Sequence, residues 1–304
     1  MTDQIAANKR RSSALAAAFA AVAAAVVLGL NAALGGGGAG AVVALAAVAA
    51  LAAGCWWKSG AVALAMSHAR PADPVVHARL HNLVEGLCMA AGLPKPGVYV
   101  VEDEALNAFA VGRDPRHAAV AVTTGLLDTL SRVELEGVVA HELSHVKSHE
   151  IVVSTLAVTM VGMAALLAEW GLRFLWWGGP THRHDRRARG GPGPAAAVAV
   201  VGVGFLAVAP VAAKLMQLVV SRRREALADV TGVSLTRYPP GLIAALEKLR
   251  DGRTVVHSGS TATAHLWIES PVARQPSEGR LAWLGRMFDT HPPLDERISA
   301  LREL

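Results

Sequence analysis

Hydrophobic positions along this chain fall into long unbroken stretches separated by segments of shorter period. Ala14 to Leu34 is apolar apart from Asn31, and Ala39 to Trp57 carries no charge. Ile151 to Trp177 is uncharged as far as Ala168, and Ala195 to Val220 as far as Ala213. A helix needs about 20 apolar residues to cross hydrocarbon, so the pattern predicts four hydrophobic helices in two hairpins. A cleaved leader is the alternative for the first stretch, because Lys9, Arg10 and Arg11 precede it, but its apolar run is too long and a second follows. Glu169 and Arg173, four apart, can partly neutralise each other near the end of the third stretch, and Pro210 would kink the fourth.

Elsewhere the period shortens. Val75, Leu80, Leu83, Leu87 and Met89 predict a soluble helix over 74–91, stopped by Gly92 and Pro94. After a short linker around Ala69 to Asp73 and this helix, the runs 98–101, 107–111 and 118–122 predict three small strands. Residues 125–130 read as one or two helical turns. Ser131 and Glu134 form an S-x-x-E capping box that starts a helix running through Glu150. Helices over 221–235 and 242–250, a turn at 239–241 and a helical tail from Pro292 complete the expectation. The chain thus divides into a first hairpin (1–58), a polar part (59–150), a second hairpin (151–220) and a second polar part (221–304). The fold class is mainly α and membrane-embedded, with a small sheet in the polar part.

Composition supports a membrane setting: 53% of the 304 residues are hydrophobic and only 17% charged, outside ordinary globular usage. Lys9, Arg10, Arg11, Lys58 and Arg70 flank a first hairpin whose connection carries no basic residue, which puts both its ends on the cytoplasmic side. For the second hairpin the rule favours the same orientation narrowly, because Arg183, Arg186, Arg187 and Arg189 lie in its connection; a re-entrant or interfacial pair is the alternative. The net charge of +5 sits beside the spans, where anionic lipid heads account for it, and nucleic acid is not an expected partner. Cys55 and Cys88 have no CxxC partner and read as small buried hydrophobes in a reducing compartment. Trp56, Trp57, Trp176 and Trp177 mark membrane boundaries.

The chemistry lies in His141-Glu142-Leu143-Ser144-His145, an H-E-x-x-H pattern that puts two imidazoles on one helical face, where they can share a metal. With 12 histidines in the chain, composition alone would yield it only about 0.02 times, and the capping box and unbroken helical context raise its weight further. Catalytic zinc takes three protein ligands and leaves a position for water. Ser148 and Ile151 stand where a metzincin continuation wants Gly and His, so a third donor must come from a distance. Glu225 is the best candidate, with Asp229 one turn further on the same face and able to orient a histidine. By spacing alone, a plain salt-bridging helix remains open there. His149 reads as solvated or outside the ligand set, and His182 and His184 as loop residues.

Ala69-Arg70-Pro71, Asn107-Ala108-Phe109-Ala110 with Gly112, Thr123-Thr124-Gly125-Leu126-Leu127, the H-E-x-x-H helix, Arg224-Glu225 with Asp229, and Thr290-His291-Pro292-Pro293 with Arg297 occur in order. In these features the chain resembles the HtpX-type membrane metallopeptidases and, more distantly, the CAAX prenyl endopeptidases. It departs from them at Ala226, where an aromatic is usual, and at Glu150, where an aspartate is usual. The resemblance implies a zincin-like α+β domain on the cytoplasmic face of the cell membrane. It implies one Zn²⁺ per chain on His141, His145 and Glu225, with Glu142 as general base. It also implies carbonyl-oxygen donors at His291 and Arg297, and substrate backbone held by Asn107, Ala108 and Phe109 through strand addition. The implied activity is endopeptidase cleavage of membrane or misfolded proteins in quality control and stress response. A CAAX-type processing protease, or a signalling or scaffold membrane protein that binds zinc without catalysis, are the alternatives. Oligomeric state is not legible.

Overall fold

The structure, a computed structural model, describes residues 2–33, 37–160, 162, 169, 222–252, 263, 266–269 and 292–304. Two long helices open the chain, α1 (Thr2–Ala33) and α2 (Gly38–Met66), packed against each other as a hairpin. Within them Asp3–Gly29 and Gly38–Met66 are long and apolar enough to cross a membrane. Only 22% and 6% of their most apolar windows is buried inside the protein, so the apolar surface faces outward, as lipid would require. Of the two later stretches, residues 151–160 are described and lie in a buried apolar helix; the rest of the third stretch beyond Gly162 and Glu169, and the whole fourth, lie outside the described residues.

The expected linker after the first hairpin contains a two-residue strand, β1 (Arg70–Pro71), and Ala72 N–H continues its pairing onto Val98 O at 2.9 Å. Periodicity cannot register an element so short. Helix α3 (Ala78–Ala91) starts later than the sequence pattern suggests, because the Asp73 carboxylate accepts from Val75 and Val76 N–H and bends the chain first. It stops at Gly92 in the left-handed conformation, as the sequence implies. Strands β2 (Gly97–Val101), β3 (Ala108–Gly112) and β4 (Ala118–Thr123) join β1 in a mixed sheet of order β1-β2-β4-β3, with β2 parallel and β3 antiparallel to β4. β3 and β4 are buried throughout, yet β3 is the last strand of the sheet.

After the short α4 (Thr124–Thr129), helix α5 (Arg132–Lys147) starts at the Ser131/Glu134 capping box and runs through the core. It ends three residues before Glu150. His149 sits at φ +59°, and a new helix, α6, begins at Glu150 and runs to Met160. Past the second apolar region come α7 (Arg222–Thr236), α8 (Pro239–Gly252) and α9 (Leu294–Arg302). α5 is clasped by α7 and α8, and at both crossings a glycine permits backbone contact. A Cβ on Gly137 would lie 2.7 Å from Leu242 N, and one on Gly232 would lie 3.0 Å from His141 N. The membrane hairpin is not a separate body, since Leu15 and Phe19 of α1 join the same apolar core as Val139, Leu143 and Val152.

Candidate metal centre

His141, Glu142 and His145 project from the middle and end of α5, where burial is nearly complete. On α7, Glu225, Asp229 and Gly232 fall at i, i+4 and i+7, one helical face. The glycine lets that face approach the backbone at His141, so the two carboxylates arrive beside the imidazoles. His141 Nε2 and His145 Nε2 are 3.1 Å apart, and Glu225 lies 3.7 Å from the first and 3.8 Å from the second. Ligands held tetrahedrally on zinc at 2.0–2.1 Å sit roughly 3.3 Å from one another. The spacing is close to zinc-sized, with Glu225 presenting Oε2 to His141 and Oε1 to His145, and all three residues offer an atom within 4.8 Å of the others.

Orientation of the rings supports the fit. The Nδ1 of His141 faces Asp229 Oδ1 at 2.8 Å and the Nδ1 of His145 faces Glu150 Oε2 at 2.7 Å. A carboxylate on Nδ1 fixes the tautomer and leaves both Nε2 lone pairs for a metal, the arrangement common to metal-binding histidines. Glu150 escaped the sequence reading as a functional residue. The one available signal was His149, since histidine is among the residues that tolerate positive φ, and its reversal folds Glu150 back onto His145.

Arg297 of α9 enters the same cluster, buried to 3% exposure. Its Nε and NH2 donate to Asp229 at 2.9 and 2.7 Å, NH1 donates to the Ile268 carbonyl at 3.4 Å and lies 4.0 Å from Glu225, and NH2 is 3.4 Å from His141 Nδ1. Burial pushes the Asp229 carboxyl up, but the Arg297 charge and the His141 ring outweigh it and hold it at about 2. Burial likewise opposes a charged His145, yet its bond to Glu150 and the charges of Glu225, Glu150 and Glu142 raise the ring to about 9. Glu142, 3% exposed, is near enough to contribute to that field.

Asn107, Ala108 and Phe109 stand at the start of edge strand β3, but their outward groups meet the chain's own residues 266–269: Ile268 N–H donates to Ala108 O at 2.9 Å, and Asn107 Nδ2 to Glu269 O at 2.8 Å. His291 lies outside the described residues, as do His182, His184, Trp176 and Trp177.

Replacing Gly232 with valine is expected to separate α7 from α5 at His141, because even a single Cβ already meets backbone at 3.0–3.2 Å. The folded protein should then lose most of its bound zinc, measured by metal analysis of the purified chain, while a substitution at exposed Ser234 leaves zinc content unchanged.

Paired imidazoles on one helical face with a glutamate between them suit hydrolysis by metal-held water, the chemistry of the metallopeptidases. Comparison makes the class particular. The chain belongs to peptidase family M48, whose family model matches residues 74–304. It is 41% identical over 248 residues to a Protease HtpX homolog of Thermoanaerobacter pseudethanolicus, covering 81% of this chain and 79% of that one. It is 44% identical over 246 residues to a Protease HtpX homolog of Tropheryma whipplei strain Twist, with the same coverage. Among solved structures, the crystal structure of S. mikatae Ste24p matches with a TM-score of 0.42 at 19% identity, over 73% of this chain and 49% of that one.

Proposed function

We propose that the chain is a membrane-bound, zinc-dependent endopeptidase that clips membrane or misfolded proteins in quality control, with His141, His145 and Glu225 holding one Zn²⁺. The observation that carries this is the near-zinc-sized triangle of His141 Nε2, His145 Nε2 and Glu225, with an acidic partner on each ring's Nδ1. Bound zinc would supply a Lewis acid and a water acidified toward neutrality.

The chain's own residues do the rest. Glu142 accepts the water's proton and returns one to the leaving amine. Asp229 and Glu150 fix the two rings. Arg297, which already donates to one peptide carbonyl at Ile268, supplies positive potential and a donor to the carbonyl under attack, together with His291. Asn107, Ala108 and Phe109 hold substrate backbone along the β3 edge. A general base at Glu142 favours an enzyme over a silent scaffold.

The proposed architecture has four hydrophobic helices in two hairpins, 1–58 and 151–220, interleaved with catalytic segments 59–150 and 221–304. The site faces the cytoplasm of a multi-pass membrane protein. The basic residues flanking the first hairpin support that orientation, and Asn8 of α1, bonded to Ser148 O at 2.9 Å, ties that end of the hairpin to the catalytic helix.

Chelation followed by zinc titration tests the ligand set. A metal must displace the proton that His145 retains up to about pH 9, so apparent zinc affinity should rise about tenfold per pH unit between pH 6 and 8. Lower pH favours the proton and weakens binding. Glu225→Ala should lose both zinc and caseinolysis; a Glu225→Ala protein that keeps wild-type zinc affinity would remove Glu225 from the site.

A further inference from the structure

Residues 266–269, a turn and bends in the backbone, lie against the outer edge of β3. Asn107 O accepts from Thr123 N–H, and the alternation of an antiparallel ladder then turns the backbone groups of Ala108 and Ala110 away from β4. Ile268 N–H donates to Ala108 O there at 2.9 Å. The Asn107 side-chain amide spans Glu269, with Nδ2 donating to its carbonyl at 2.8 Å and Oδ1 accepting from its N–H at 3.3 Å. The Ile268 carbonyl accepts from Arg297 NH1 at 3.4 Å, and NH2 of that guanidinium lies 3.5 Å from His141 Nε2. Between these anchors Trp267 is fully buried and sets its ring at 69° to Phe109, with centroids 4.6 Å apart.

These contacts are of the kind a bound peptide would make beside the metal donors: a backbone hydrogen bond to the outer edge of β3, a carbonyl on Arg297, and an aromatic side chain buried against Phe109. Trp267 belongs to the same buried apolar cluster as Val101, Ala105, Phe109, Val111, Ala121 and Val158. Its indole N–H is buried with no hydrogen-bond partner among the described residues, whereas a phenyl ring would occupy such a space without stranding a donor.

We propose that residues 266–269 hold, in the resting chain, the place of an extended substrate segment, and that the pocket filled by Trp267 is a subsite for a large aromatic side chain of the substrate. This rests on the strand-addition reading above and deepens it. Substrates are then unfolded segments that carry an aromatic residue, and they compete with residues 266–269 for the edge of β3. Because only the fraction of molecules with the edge vacated binds substrate, the internal segment lowers apparent affinity by that fraction.

The test uses the full-length protein in detergent with zinc, labelled casein as substrate, and the variants Trp267→Ala and Ile268→Pro, the second removing the N–H given to Ala108 O. The synthetic peptide Thr-Ala-His-Leu-Trp-Ile-Glu-Ser, residues 263–270, serves as competitor. Both variants should raise kcat/KM by roughly fivefold or more, chiefly through KM. The peptide should inhibit Trp267→Ala at lower concentration than it inhibits wild type, and its Trp-to-Ala analogue should inhibit neither. If Trp267→Ala fails to fold, Ile268→Pro and the peptide acting on wild type decide. Rates equal to or below wild type in the folded variants, with wild-type hydrolysis still dependent on Glu142, would overturn the proposal and leave the peptidase standing. No Glu142-dependent hydrolysis by wild type or either variant would overturn the peptidase reading and this one with it.

Discussion

Glu142→Gln should keep its zinc and lose at least about a hundredfold in hydrolysis, since proton transfer by a positioned base contributes 10²–10⁴. The expectation depends on Glu142 being beside the donor triangle and not in it. It lies between the two histidines on α5, is buried, and contributes to the fields felt by His145 and Arg297. Glutamine keeps the shape and hydrogen-bonding capacity while removing the basic oxygen. Zinc content measured on the same preparation separates this from a ligand defect, because Glu225→Ala should lose metal and activity together. A Glu142→Gln protein that cleaves casein at the wild-type rate would refute the mechanism.

Much of the helical frame around the centre was legible in the sequence. The capping box at Ser131 and Glu134 starts α5 where the pattern places it, and two histidines four apart had to share a face. The distant donor was legible only as a candidate, because nothing in the local spacing of Glu225 and Asp229 distinguishes a ligand-bearing helix from a salt-bridged surface. What brings Glu225 to the imidazoles is Gly232, one turn beyond Asp229, whose missing side chain lets α7 reach the backbone of α5. Such a glycine is visible in a sequence but its partner is not.

Glu150 was hidden for a different reason. Continued as a helix, residue 150 would stand five positions after His145, about 140° around the axis and out of reach. The left-handed His149 breaks that geometry and returns the carboxylate to 2.7 Å from the ring. The bend at 266–269 meets β3 through one backbone bond, Ile268 N–H to Ala108 O, across 160 positions of sequence; no periodicity extends far enough to reveal it. The three expected strands do appear, near their predicted limits, but β1, which adds a fourth strand beside β2, is too short to carry a pattern.

Arg297→Met should be strongly destabilising. The guanidinium is 3% exposed and gives two bonds to Asp229, itself 3% exposed, at 2.9 and 2.7 Å. Removing it strands a buried carboxylate against only the His141 ring, and breaking such a pair typically costs about 3–5 kcal/mol. The pH dependence identifies the cause. In the wild type the Asp229 carboxyl is held at about 2, below its unfolded value near 3.9, so the stability it contributes is present above pH about 3.9 and is lost as pH falls through 2. Without the arginine, burial dominates and raises the carboxyl, so the neutral acid becomes the favoured folded form. The deficit of the variant relative to wild type should therefore be largest at pH 7 and shrink toward pH 4. Thermal melts of the zinc-free proteins in detergent at both pH values measure it. Arg297→Lys should recover part of the loss, because it restores the charge without the two-pronged fit. Equal melting of Arg297→Met and wild type at pH 7 would mean that Asp229 is held by something other than this arginine.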